Sequence, residues 1–202
     1  AEDRLDEATV VPFRPIKFML ASPEPPAAAI WVRFCSGSRD SAVGQTTDSN
    51  EALGARPGVV WVEVKYGRVR CQLHKAGPRA ALFSRDLKDI TTTFPELADA
   101  ASRMPQDFIL DGEIVAMRND DVLPFAELQK RLGRREPDLF MHNEVPVKFV
   151  AFDLLWLNGE SYLRPALDYR RNSLQLLEPF PSHFRLARIT TVKSAKEIDA
   201  AF

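Results

Sequence analysis

The stretch DFILDGEIVAMR, residues 107–118, constrains this chain more than any other. Read as one β-strand, it puts Asp111 and Glu113 on the face that also bears Ile109 and Val115. Carboxylates in an apolar strand are costly unless they are paired, hydrogen-bonded or bound to metal. A single such pair could face solvent at a sheet edge, and for one pair alone that is the simpler reading. The same conflict recurs twice. VVWVEVK (59–65) puts Trp61, Glu63 and Lys65 on one face and Val60, Val62 and Val64 on the other, with a lysine closing an apolar run. FVAFDLLWL (149–157) encloses Asp153. Three interruptions, one basic and two acidic, suggest a polar pocket lined by strand ends, the usual form of a small-ligand site.

Around these strands the chain reads as α+β with largely antiparallel sheet and flanking helices. WVEVKYGRVRCQLHKAG (61–77) reads as two short strands with a tight connection, followed by a strand in AALFSRD (80–86). Helices are expected at FPELADAASRM (94–104), PFAELQKRLG (124–133, closed by Gly133) and RPALDYRRNSLQLLEPF (164–180). VPVKFVAFDLLWLNG (145–159) is a long strand ending in an Asn-Gly turn, and FRLARITTV (184–192) is a last strand. Strands and helices mix without strict βαβ alternation, which favours an antiparallel sheet. Residues 10–20 look like an extended lead-in packed on a core. Residues 22–58 show no period, and a loop that long is uncommon in a compact domain, so poor order is expected across about 35–57. The expected organisation is an extended lead-in and irregular loop over 1–58, then a folded domain over 59–202.

Composition narrows the function classes. A 45% hydrophobic content is enough for a core. The net charge of -1 supplies no global field for nucleic acid, so a polyanion would have to meet a local cluster. KRLGRREPD (130–138) is the best local candidate, with a solvated face as the plain alternative. Cys35 and Cys71 have no metal-ligand spacing and read as reduced thiols in a cytosolic setting. No apolar run approaches ~18 residues and the acidic N-terminus is unlike a signal peptide, so neither a membrane span nor secretion is expected. The chain starts at Ala1 and stops just after Ser194 and Glu197, whose capping-box spacing announces a helix. It is therefore expected to be a piece of a longer polypeptide.

A lysine beside carboxylates suggests a chemistry. A lysine nucleophile must lose its proton, which at an ordinary pKa of ~10.4 costs roughly 4.6 kcal/mol at pH 7. Nearby cations or desolvation reduce that cost. Arg70, Arg85 and a metal ion on Glu113 or Asp153 would act in that direction and would also neutralise a phosphate in the transition state. No Walker loop, G-x-G-x-x-G, H-E-x-x-H or G-x-S-x-G occurs.

In order along the chain stand KYGRVR (65–70), Ser84-Arg85, Asp111-Gly112-Glu113 and Phe152-Asp153. This series resembles the motifs of ATP-dependent DNA ligases of the bacterial and archaeal type. There the first motif is Lys-x-Asp-Gly-x-Arg in a strand-turn-strand, and here Gly67-Arg68 stands in place of Asp-Gly. The likeness covers about 10–20 and 59–202. The family's later motifs, a Glu-Gly stretch and a Lys-x-Lys pair, would follow the helix that begins at Ser194.

The resemblance implies a nucleotidyltransferase, ATP-grasp-like adenylation core. Lys65 would attack the α-phosphate of ATP, and the AMP would pass to a 5′-phosphate at a nick in double-stranded DNA. Glu63 would sit by the adenine, Phe152 would stack on the base, and Arg70 would contact the sugar side. Arg85 would help bind phosphate or DNA. Glu113 would hold the ribose or, with Asp153, a magnesium ion. A monomeric, cytoplasmic, nucleoid-associated enzyme of DNA repair, recombination and replication is implied. An RNA ligase or capping-type guanylyltransferase shares the lysine motif. A non-catalytic module that binds nucleotide or DNA is the alternative from another class, and a plain α+β domain is the simplest.

Overall fold

The computed structural model describes residues 10–19, 23, 26–35, 60–132 and 145–201. The stretch expected to be poorly ordered, about 35–57, lies almost wholly outside them, as do Gly133 and the rest of the basic run to 138. The chain forms two compact units, one of residues 1–18 with 66–187 and the other of 19–65 with 188–202. The chain passes from the second to the first between Lys65 and Tyr66.

The first unit is built on a seven-stranded sheet among the described residues. Strand β2 (Val69–Ala76) is flanked by β3 (Arg79–Ser84) and β4 (Phe108–Arg118). Next comes β6 (Val147–Leu157), then β7 (Glu160–Ser161), while β5 (Asp121–Val122) pairs with β4 and β8 (Phe184–Leu186) with β6. All pairings are antiparallel except β6 with β8. The chain thus adopts the α+β class with largely antiparallel sheet. Among the described residues, helices α2 (Pro95–Ser102), α3 (Phe125–Leu132) and α4 (Leu167–Gln175) and a short 3-10 turn (Thr91–Thr93) also belong to the unit. The expected Asn-Gly turn joins β6 to β7, with both Asn158 and Gly159 at positive φ.

The strand period sorts side chains onto two faces. One face supplies Cys71, Leu73, Leu110, Ile114, Ala116, Phe149, Ala151 and Leu154 to the main core, closed by Phe94, Leu97, Leu128 and Leu174. Gly112 belongs to this face. A Cβ there would lie 2.6 Å from the Val150 carbonyl oxygen and closer still to the Phe149 ring, so the ring needs the missing side chain. The register between β4 and β6 shifts beside this contact, between Asp111 and Gly112.

The second unit contains α1 (Ala27–Cys35), β1 (Val60–Glu63), β9 (Ile189–Val192) and α5 (Ala195–Ala200). Ala27, Val60, Val192 and Ile198 form its small core, joined by Ile30, Trp31 and Val62. Ser194 and Glu197 cap α5 reciprocally: the Ser194 hydroxyl accepts from the Glu197 N–H, and Glu197 Oε2 accepts from the Lys193 N–H.

Three local expectations are corrected. The stretch 61–77 is no hairpin: β1 pairs with β9, in the register Val60 with Val192, and β2 pairs with β3 and β4. Apolar burial decides this, since Val60 and Val192 share the small core. The strand expected over 184–192 is two strands, β8 and β9, in different units. The irregular stretch 22–58 contains α1, which starts where Pro26 accepts the first helical hydrogen bonds from Ala29 and Ile30. Its alanine-rich start has high helix propensity.

Candidate functional site

The other face of the β2–β4–β6 sheet holds the charges. Along β4 it runs Ile109, Asp111, Glu113, Val115 and Met117. Ile109 packs with Val10, Ile16, Leu155 and Trp156, whereas Val115 and Met117 pack with Tyr66, Val150, Phe152 and Ala187. Between these apolar clusters, Asp111 and Glu113 stand opposite Gln72 and Arg70 of β2.

Asp111 is only 6% exposed and makes a fork with Arg70. Arg70 Nη2 donates to Oδ2 at 2.8 Å and Nε to Oδ1 at 3.3 Å. The Arg70 guanidinium lies 4.9 Å from the Phe18 ring centre and 5.4 Å from that of Phe152, both within cation–π range. Asp153 stands directly opposite Asp111. Like charges so placed repel, and Asp153 has its own counter-charge. Arg170 of α4 donates from Nε to Oδ1 at 2.7 Å and from Nη2 to Oδ2 at 2.8 Å. The row thus reads Arg70, Asp111, Asp153, Arg170, with each carboxylate matched by an arginine. Burial pushes the Asp111 carboxyl above its usual range and the Asp153 charge adds to this, while the bonds and charge of Arg70 pull it down; the net direction is up.

Glu113 is half-buried, and its Oε1 accepts the Arg68 backbone N–H at 2.6 Å. Gly67 precedes it at φ +59°, a left-handed conformation suited to glycine. The Gly67-Arg68 departure therefore forms a turn tied to Glu113. The Arg68 guanidinium carbon lies 5.9 Å from the Phe125 ring centre.

Of the residues expected from sequence, Arg70, Glu113, Phe152 and Asp153 all lie on this face or at its rim. Arg85 is exposed on the turn after β3 and shares no hydrogen bond or ion pair with Asp111, Glu113 or Asp153 among the described residues. Lys65 and Glu63 lie in the second unit, both exposed, Glu63 ending β1 opposite Ile189 and Lys65 two residues beyond. Among the described residues, the buried lysine is Lys75 on β2 of the first unit, whose ammonium reaches Asp107 at 2.9 Å. The basic run at 130 does not open as a cationic face where it is described. Arg131 is buried against Glu96, the Thr93 and Val145 carbonyls and the Phe94 ring, and Lys130 pairs with Glu127. Burial and the charges of Asp111 and Glu113 push the Cys71 thiol well up, which makes it an inert core group.

As magnesium ligands the two expected carboxylates differ. Both Asp153 oxygens are engaged by Arg170, and Oδ1 also accepts the Leu154 N–H at 2.8 Å, so Asp153 fits a cation poorly. Glu113 keeps Oε2 clear of the Arg68 bond, which suits an ion that takes one or two carboxylates and completes its shell with phosphate and water. No group of three His, Cys, Asp or Glu side chains suited to a metal occurs among the described residues.

Sequence reasoning missed Phe18, Asp111's fork to Arg70, and Arg170. Asp111 carried a signal, a buried carboxylate needing a partner. Phe18 and Arg170 carried none beyond an apolar lead-in and an amphipathic helix.

No helix among the described residues is long and apolar enough to cross a membrane. The model of the ATP dependent DNA ligase domain family matches residues 43–202. A probable DNA ligase of Opitutus terrae is 41% identical over 99% of this chain and 24% of its own length. DNA ligase 1 of Korarchaeum cryptofilum is 35% identical over 74% of this chain and 28% of its own. The chain thus spans about a quarter of the length of these relatives. Among solved structures, the ligase domain of M. tuberculosis LigD superposes with a TM-score of 0.56 at 25% identity, covering 71% of this chain and 44% of that one. A mycobacterial DNA ligase D complexed with ATP and MES matches with the same TM-score. The charged strip on the sheet and the ordered motifs along the chain thus sit in a sequence that belongs to the ATP-dependent DNA ligase domain family.

Proposed function

We propose that this chain carries the nucleotide-binding and adenylyl-transfer part of an ATP-dependent DNA ligase. The Lys65 amine, once deprotonated, attacks the α-phosphorus of ATP. A nitrogen–phosphorus bond forms, the bond from that phosphorus to the bridging oxygen of the β-phosphate breaks, and pyrophosphate leaves. The 5′-phosphate at a nick in duplex DNA then displaces the lysine from the AMP. The adjacent 3′-hydroxyl attacks that 5′-phosphate, sealing the strand and releasing AMP. Phe152 offers a face for the base, Glu63 a group near the adenine, Arg70 and Glu113 polar contacts to the sugar side, and Arg85 a cation for phosphate or DNA. Bound magnesium would neutralise phosphate charge, with Glu113 as its protein carboxylate. Work at nicks in DNA repair, recombination and replication, as a monomer in the cytoplasm at the nucleoid, completes the reading.

The observation that carries it is the meeting of Arg70, Glu113 and Phe152 on one sheet face, in a chain matched by the family from residue 43 to 202. Incubating the chain with α-labelled ATP and magnesium tests it, beside Lys65→Ala. Label stable to denaturation on the wild type and absent from the variant supports adenylylation. Label on neither favours the second reading, a module that binds nucleotide without turnover. That reading draws on the Arg68 N–H already bonded to Glu113.

A further inference from the structure

Residues 10–18 belong to the first unit and lie along the charged face of β2. Their contacts keep step with it. The Phe13 N–H donates to His74 Nδ1 at 2.9 Å. Two residues down the strand, Gln72 grips Ile16 at both ends: its Oε1 accepts the Ile16 N–H at 3.1 Å, and its Nε2 donates to the Ile16 carbonyl at 2.7 Å. Two further down, Arg70 lies under the Phe18 ring at 4.9 Å. Positions 74, 72 and 70 thus meet 13, 16 and 18 in turn. Because Nδ1 of His74 is the acceptor, its proton is on Nε2, which donates to Gln72 Oε1 at 3.2 Å. Gln72 and His74 are 1% and 0% exposed, so these bonds are shielded from competing water. Val10 and Ile16 add apolar anchors against Ile109, Leu155 and Trp156.

We propose that residues 10–18 are a positioning strap for the candidate nucleotide site, in which Gln72 and His74 fix the register and Phe18 completes an aromatic clamp that orients Arg70. Asp111 fixes the edge of the guanidinium, while Phe18 and Phe152 hold it by cation–π contact. A flexible arginine loses side-chain entropy on meeting a ligand, and a clamped one has already lost it. Phe18 is therefore a positioning residue, acting through Arg70. Only the identity of the ligand rests on the adenylyl-transfer reading.

The test follows the Arg70 Nε–Hε resonance of the whole chain by NMR, with and without ATP. In the wild type that signal should be shifted by the ring currents of the two phenyl groups. Phe18→Ala should move it towards the position of a free arginine and weaken ATP binding about fivefold. Phe18→Tyr should restore both, whereas Phe18→Leu, which keeps bulk without a ring and serves if the alanine variant fails to fold, should not. Gln72→Ala, which alters neither partner, should move the same signal by releasing the strap. An Arg70 signal unmoved by Phe18→Leu or by Gln72→Ala would overturn the proposal. If ATP moves no resonance of the wild type while these variants still shift Arg70, the strap stands and the nucleotide reading falls.

Discussion

The two faces of one sheet have opposite contents. On the core face, β2, β4 and β6 present apolar side chains and a glycine at their crossing, with one charge at its end, Lys75, buried and paired with Asp107, and Phe149 fills the space that glycine leaves. On the other face the same strands present Arg70, Gln72, His74, Asp111, Glu113 and Asp153, most of them held by hydrogen bonds to one another, to the strap or to α4. The core face is where burial stabilises the fold. The charged face gains little net stability, because desolvating ion pairs costs about what their attraction returns. Its order serves the positioning of polar groups instead.

Substitutions can break this contrast, and the largest effect belongs to the core. Phe149→Ala should cost about 4 kcal/mol in chemical denaturation, since it empties a fully buried ring site. A cost below about 1 kcal/mol would mean that the core face is not the main source of stability.

Next comes the pH dependence of the strap. Burial lowers the His74 pKa from 6.5 to about 4. The unfolded chain then binds the extra proton first, so the His74 contribution is complete above pH 6.5. It should fall by about 3 kcal/mol on acidification to pH 4. His74→Gln should flatten that window in denaturation curves compared at pH 7 and pH 4.5. An unchanged slope would place the histidine elsewhere.

Gly112→Ala should cost about 2 kcal/mol by forcing Phe149 and the Val150 carbonyl to shift, as overpacking does. The smallest stability effect is expected from Asp111→Asn, within about 1 kcal/mol at pH 7, because burial already disfavours its charge. The same variant should still weaken ATP binding by loosening Arg70. A large loss of stability with unchanged binding would reverse the roles assigned to the two faces.

The contrast also explains what the sequence made legible. Asp111, Glu113 and Asp153 are visible because a carboxylate in an apolar strand needs a reason, and the β4 and β6 periods are long enough to read. The elements on either side follow from ordinary signals: the capping box at Ser194 and the Asn-Gly turn. Partners distant in sequence were not legible. Arg170 reaches Asp153 from a helix whose pattern reports only amphipathicity, and Phe18 meets Arg70 from across 52 positions of chain. The pairing of β1 failed for the same reason. A four-residue strand joins whichever neighbour shares its apolar burial, and Val192 lies far downstream. The α1 helix was hidden by the irregular composition on both sides of it.

The central claim is that the charged face receives the nucleotide while the opposite face only holds the fold. Mapping ATP-induced shifts over the amide and side-chain resonances of the whole chain tests it most directly. The account predicts that the largest changes fall at Phe18, Arg70, Asp111, Glu113 and Phe152, with Leu73, Leu110 and Leu154 on the core face unmoved. Shifts centred on α2 or α3, with Arg70 and Glu113 silent, would contradict it.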